Sequence, residues 1–376
     1  MPGPLSTRPP RCTGTAGVAG CALAYWLGRC GFVPTVVERA PGVRPGGQAV
    51  DVRGVALGVV ERMGLLRRVR EGATHMRGMS VIDANGKELH RSTEATFSAG
   101  RLDSGDVELL REDLVGVLEQ LGAGQAEFIY GDRIVALDEG EHGVHVAFEY
   151  GPARTFDLVV GADGLHSTVR TLAFGPEGTS PHHLGTHLAI FSAENFLGLD
   201  NWQLWHRDGD AGYGIYPVRD DSELRITFGF ASGPLDPATR DPQVLRQEVA
   251  DRMGALCWET PRLLKALWTA PDFYADAMAQ VRLDRWSRGR AVLVGDAGYC
   301  ASPLSGQGTS LALVGAYILV DALRRTGGDH RAAFARYEAR MRPFVALNQA
   351  LATENPGGAA GEESLERAKN ALTLDA

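Results

Sequence analysis

Two aspartate turns in this sequence have the residue types and spacing to hold a phosphorylated ligand. DLVVGADGLHSTVR (157–170) runs an apolar strand-like stretch into Asp163-Gly164 and then opens a helical one bearing Arg170. RAVLVGDAGYCASPLSGQGTSLAL (290–313) repeats the device with AVLVG, Asp296, a turn at Pro303, and Gly306-Gln307-Gly308 at a helix entrance. In open α/β sheets, ligands bind just beyond the carboxyl ends of the strands. Glycines at a helix entrance let backbone N–H groups approach a ligand, and the helix dipole adds about half a positive charge there. A third stretch, TGTAGVAG (13–20), places Gly17 and Gly20 in the second and third positions of a Gly-x-Gly-x-x-Gly phosphate loop, with Thr15 in the first.

The flanking elements decide whether these turns can work together. CALAYWLGRCG (21–31) has the apolar spacing of a helix, and FVPTVVERAP (32–41) reads as a buried strand ending in Glu38. Loop, helix, strand and terminal acid is the order of a dinucleotide fold, in which the acid accepts hydrogen bonds from a ribose. The strand that should precede the loop is not evident: PLSTRPPRC is polar, and Pro9 and Pro10 cannot donate to a ladder. If the first glycine position needs positive φ, Thr15 costs about 1–2 kcal/mol there. Residues 128–149 alternate as strands with Val144, Val146 and Phe148 on one face. NWQLWH, AGYGIYPV and LRITFGFAS, within 175–280, predict a separate antiparallel sheet. TSLALVGAYILVDALR (309–324) predicts an apolar helix, and the tail from about 328 is helical with a break at NPGGAAG (355–361). In VELLREDLVGVL (107–118), Leu110, Leu114 and Leu118 share a predicted helical face, with Arg111 at the helix start. A cation is poorly placed against the dipole there, so Arg111 points to a partner outside the helix.

Composition narrows the class. The 376 residues carry a net charge of −8, which argues against a nucleic-acid surface. Five cysteines form no CxxC pair, so a reduced, cytoplasmic setting is expected. No apolar run reaches the roughly 18 residues of a membrane span, and the N-terminus lacks a secretory core. His182, His183 and His187 have no partners at metal-binding spacing, and no metal site is expected.

Together the motifs resemble the class A flavoprotein monooxygenases, the p-hydroxybenzoate hydroxylase-like family, over residues from about 14 to 340. Within it they are most similar to the tetracycline-inactivating and polyketide-tailoring enzymes. The resemblance implies an α/β fold: a Rossmann-like FAD-binding domain, an antiparallel-sheet substrate domain and a C-terminal helical segment. Residues 1–72, 101–174 and 281–325 would form the first, 73–100 and 175–280 the second, and 326–376 the third. Thr15, Gly17 and Gly20 would surround the FAD pyrophosphate, with Glu38 and Arg39 at the adenosine end. Asp51, in GGQAVDVRG (46–54), would lie near the isoalloxazine and Arg111 on the flavin side. Asp163 and Gly164 would serve both FAD and a transient nicotinamide, and Asp296 the ribityl–pyrophosphate region. Pro303, Gly306, Gln307 and Gly308 would form the turn against the ring. Gln203 and Arg225 would line the substrate site, while Trp202, Trp205, Tyr213 and Phe228 read as either an aromatic pocket or core.

The implied chemistry belongs to the cofactor, with no dedicated catalytic side chain. NAD(P)H reduces FAD, O₂ adds as a C4a-hydroperoxide, and an aromatic or enolic small molecule is hydroxylated. A monomer or homodimer is expected. Two alternatives stand beside this: a degenerate flavoprotein that binds or sequesters, and a flavin halogenase. The halogenase Trp-x-Trp-x-x-Pro segment is not matched by WQLW, and the only lysines are Lys87, Lys265 and Lys369.

Overall fold

A strand precedes the glycine loop after all. In the computed structural model, which describes residues 11–14, 16–43, 46–176, 180–233, 241–355 and 358–375, Arg11–Gly14 lies inside a six-stranded sheet. It runs parallel to Val33–Glu38 on one side and Leu158–Gly161 on the other, with Cys12 opposite Pro34 and Leu158. This corrects the expectation of a missing strand. The side chain that must be apolar is Cys12, 1% exposed, and a buried free cysteine behaves as a small hydrophobe. Pro9, Pro10 and Thr15 lie outside the described residues.

The sheet order is Ser287–Arg288, Ala291–Leu293, Leu158–Gly161, Arg11–Gly14, Val33–Glu38, Glu127–Tyr130. All neighbours are parallel except the first pair. Parallel strands buried on both faces read as continuous apolar runs, as AVLVG and LVVG do. Parallelism also brings the ends that precede Gly17, Asp163 and Asp296, and the strand end Glu38, to one edge. Helix Val18–Arg29 packs against helix Gly308–Arg325, the apolar helix expected from sequence.

A second sheet has seven strands in the order Tyr274–Gln280, His182–Glu194, Glu223–Ala231, Ala211–Val218, Trp202–Asp208, Gly78–Ile82, Glu88–Ser92. It is antiparallel apart from the Trp202–Asp208 and Gly78–Ile82 pair. Tyr213, Ile215, Leu224, Ile226, Phe228 and Phe230 pack one face against helices Pro242–Met253 and Thr260–Thr269. The alternation of strands then turns Gln203, Trp205, Tyr216 and Arg225 to the opposite face. Val144, Val146 and Phe148 bury one face of a small three-stranded sheet.

Helix Arg111–Gly122 buries Leu114, Val115 and Leu118, whereas Leu110 is the last residue of strand Val107–Leu110. Leu110 therefore shares the burial but not the helix. The tail forms His330–Glu354, which carries Pro343, and Glu362–Lys369. Asn348 joins the two by donating from Nδ2 to the Ala368 carbonyl at 3.0 Å. Among the described residues, no helix is long and apolar enough to cross a membrane.

Burial separates the cysteines. Cys12, Cys21 and Cys300 are buried, with thiols pushed up by desolvation, Cys30 is half-buried and Cys257 is exposed. Native protein should therefore show one fast thiol with a disulfide reagent such as DTNB, and Cys257→Ser should abolish that phase. Fast modification persisting in that variant would contradict the packing around the central strand.

Candidate functional site

At the shared strand edge, Gly17 caps helix Val18–Arg29. A side chain placed on Gly17 would meet nothing within 4 Å among the described residues, and the first helical turn has no acidic residue. That leaves an open, positively polarised terminus suited to a phosphate. Glu38 accepts from the Ala40 N–H at 3.0 Å, and Arg39 is exposed beside it.

Asp163 first serves its own turn. It accepts from the Val169 N–H at 3.0 Å and from the Ser167 hydroxyl, fastening the start of helix Thr168–Phe174. Gly164 sits at φ 79°, a conformation that favours glycine. Arg170 is buried and donates to the carbonyls of Ala297 at 3.0 Å and Leu165 at 2.7 Å. It ties the Asp163 turn to the Asp296 turn. The sequence signal for this role is an arginine placed inside a helix that must pack.

Asp296 keeps part of its surface open, and its Oδ1 lies 3.8 Å from where a side chain on Gly308 would begin. Burial pushes its carboxyl above the usual carboxylate range, opposed by a Cys300 hydrogen bond and the Arg111 charge. Arg111 starts its helix, and its Cδ lies 3.8 Å from the corresponding point on Gly47, which has φ 98°. Pro303 opens a short 3₁₀ turn that ends at Gly306 in the left-handed region, φ 64°, before helix Gly308–Arg325.

Arg53, not singled out from sequence, links this turn to Asp51. Its Nη2 is 2.9 Å from Asp51 Oδ2, and its Nη1 is 3.5 Å from the position a Gly306 side chain would take. Its backbone N–H donates to Ser310 Oγ at 3.0 Å, and Nη2 to the Ser98 carbonyl at 2.8 Å. Burial, with Glu108 and Asp106 adding repulsion against the pull of Arg53, pushes the Asp51 carboxyl up to about 7. An arginine two residues beyond an aspartate at a strand end was the available signal.

Gln307 is fully buried, yet neither its Oε1 nor its Nε2 has a partner among the described residues, and Arg53 Nε is likewise unmatched. Buried polar atoms are nearly always satisfied, so these mark where a polar ligand belongs. Two open helix termini and orphaned amide and guanidinium atoms form a donor set that fits FAD, with its pyrophosphate and polar ring edge.

The substrate candidates separate. Gln203 is fully buried, donating from Nε2 to Ser98 Oγ at 2.6 Å and accepting from Trp205 Nε1 at 3.0 Å. Through Ser98 it adjoins Arg53. Trp205 stacks edge-on with Phe97 at 5.3 Å. Tyr213 and Phe228 belong to the core, and Trp202 lies under the Arg91 guanidinium at 4.0 Å. Arg225 is surrounded by carboxylates: Glu223 at 2.8 Å, Asp272 at 3.0 Å and Glu112 at 3.5 Å. Glu112 also accepts from the Gly46 N–H, so the network reaches the loop before Asp51. Arg225 thus joins the second sheet to the site loop. Among the described residues, no three His, Cys, Asp or Glu side chains are placed to hold a metal.

Comparison with known proteins shows the family. The family described as "FAD binding domain" matches residues 15–350. An uncharacterized protein of Mycobacterium tuberculosis is 50% identical, covering 96% of this chain and 97% of that protein. A flavin-dependent monooxygenase of Legionella longbeachae is 39% identical, covering 89% of this chain and 85% of that protein. The crystal structure of tetracycline destructase Tet(51) superposes with a TM-score of 0.89 at 31% identity, covering 97% of this chain and 99% of that one.

The placement of Arg225 yields a stability prediction. Arg225→Met should cost about 3–5 kcal/mol in urea unfolding, because buried Asp272 loses its cation while Glu112 keeps Arg219. Near-parental stability with impaired substrate binding would instead return Arg225 to the substrate site.

Proposed function

The chain belongs to the FAD-binding-domain family of flavin-dependent monooxygenases, and we propose that it uses NAD(P)H and O₂ to hydroxylate an aromatic or enolic, polyketide-like small molecule. The observation that carries this reading is the meeting at one edge of the Gly17 helix terminus, Asp296, the Asp51–Arg53 pair and the Gly306–Gln307 turn.

When bound, FAD supplies electron transfer from NAD(P)H to O₂ and the oxygenating chemistry. The protein's part is binding, orientation and electrostatics. Gly17 and Gly20 would approach the pyrophosphate, Glu38 and Arg39 the adenosine ribose, and Asp163, Gly164 and Asp296 the middle of the cofactor. Arg111 would offset the negative charge gathered near Asp296. Pro303, Gly306 and Gly308 would shape the ring contact, and Gln307 would bond the ring's polar edge. The terminus of helix Gly308–Arg325 would favour negative charge there by about 0.3–2 kcal/mol.

For substrate, the supporting features are the Trp205–Phe97 aromatic pair and the committed amide of Gln203 on the sheet face toward the site. Phe97 is 52% exposed and Leu304, in the turn before Gly306, is 46% exposed. A flat, largely apolar molecule would cover both, and water excluded from this space cannot break down the oxidant. The likeness to a tetracycline destructase supports a polycyclic enol.

Two outcomes test the reading. Arg111→Ala and Asp296→Ala should each lower FAD occupancy, with little change in the melting of FAD-free protein, whereas Asp220→Ala should change neither. Equal occupancy in all variants would remove Arg111 and Asp296 from the cofactor site. Flavin-loaded protein should also oxidise NAD(P)H faster when a fitting polycyclic phenol or enol is present. No stimulation across a panel of such compounds would overturn the hydroxylase assignment.

A further inference from the structure

A buried cluster beside the Gly306 turn holds more negative than positive charge. Strands Ala49–Val52 and Val107–Leu110 are antiparallel, with Asp51 directly opposite Glu108, so their carboxylates lie on the same face. Glu108 is 7% exposed, and the Asp51 side chain 11%. Asp106 is the third carboxylate. Its cation is Lys369, 2.7 Å away on the C-terminal helix, and it also accepts from the Gly54 N–H at 3.0 Å. Lys369 is further engaged by Glu366 at the surface. Among the described residues, that leaves the Arg53 guanidinium for Asp51 and Glu108 together.

Thr74 Oγ1 donates to Glu108 Oε1 at 2.7 Å, the Ser98 hydroxyl bonds the same carboxyl group, and Oε2 has no partner among the described residues. Tyr216 accepts from the Ala49 N–H at 2.9 Å, and its phenol is pushed up by burial and by Glu108. It brings no positive charge. Two facing, buried carboxylates repel, and with Arg53 ion-paired to Asp51 alone among the described residues a proton held on the pair is favoured.

We propose that Asp51 and Glu108 share one proton and form the internal acid of the site. Asp51 stands at the open end beside Arg53 and the Gly306 turn, and Glu108 is the positioning residue that strengthens the hold on the proton. This rests on the hydroxylase reading, in which substrate C–H, O₂, NAD(P)H and H⁺ give C–OH, NAD(P)⁺ and H₂O. The nicotinamide hydride and the C–H bond provide the electrons that reduce O₂. The pair supplies the H⁺ to the oxygen that leaves as water, and solvent returns it through Asp51. Burial pushes both carboxyls above their ordinary range, and with Glu108 adding repulsion against the pull of Arg53, Asp51 reaches about 7.

A carboxyl whose proton is held more tightly in the folded state adds stability at low pH, and that stability is lost as pH rises through the folded value. Melting of the parent should therefore fall between about pH 4 and about pH 7, and the profiles of Glu108→Gln and Asp51→Asn should be flatter. A purely structural role would offset the profiles in parallel, and parallel profiles overturn the proposal. Should either variant fail to fold, the FAD-free parent decides by infrared titration. A carboxylic-acid C=O band persisting to neutral pH and titrating near 7 supports the shared proton, and its absence overturns it. In turnover, Glu108→Gln should move the alkaline limb of kcat to lower pH, with KM nearly constant. If the titrations behave as expected while no substrate is turned over, the hydroxylase reading fails and the shared proton stands.

Discussion

The parallel seating of one short strand aligns everything the site uses. Because Arg11–Gly14 bonds to Val33–Glu38 and Leu158–Gly161 in the same direction, and Leu158–Gly161 to Ala291–Leu293, the chain leaves the sheet at one edge each time. Each exit is followed by a turn with a functional residue, and three of the four lead directly to a helix start whose N–H groups lack an intrahelical partner. The glycines are required at particular points. Gly17 leaves the terminus open, and Gly306 takes a left-handed conformation that lets the backbone turn beneath Arg53.

The second constraint is ionic. Arg225 is buried in the middle of the second sheet, and its carboxylates come from three places: Glu223 on its own strand, Asp272, and Glu112 on the helix that begins with Arg111. Taking these charges from water is expensive, and the pairing offsets that cost only in a narrow geometry. Such a joint contributes little net stability but penalises sliding of the sheet relative to the cofactor loop. The Ser98 segment does the same with neutral groups, holding Gln203 and Arg53 on one residue. Orientation of a substrate over a ring depends on that fixed relation.

What the sequence determined by itself was local and periodic. Runs such as AVLVG and LVVG, the helix at 309–324, the alternation of Val144, Val146 and Phe148, and the Asp-Gly and Gly-Gln-Gly turns follow from side-chain period and backbone permissiveness. Those properties are written in neighbouring residues, and they sufficed to point to the fold and the cofactor. Only the tertiary structure decided the rest. RCTG has too little apolar character to announce a strand, and it becomes one because two partners supply its ladder. Arg225 reads as a basic residue available to a ligand until Asp272 and Glu112, distant in sequence, close around it. Asp51 and Glu108 are ordinary acids along the chain, and they become a proton-sharing pair only when antiparallel pairing sets them face to face away from water. Charge and burial depend on which distant groups share a low-dielectric space, and no local spacing encodes that.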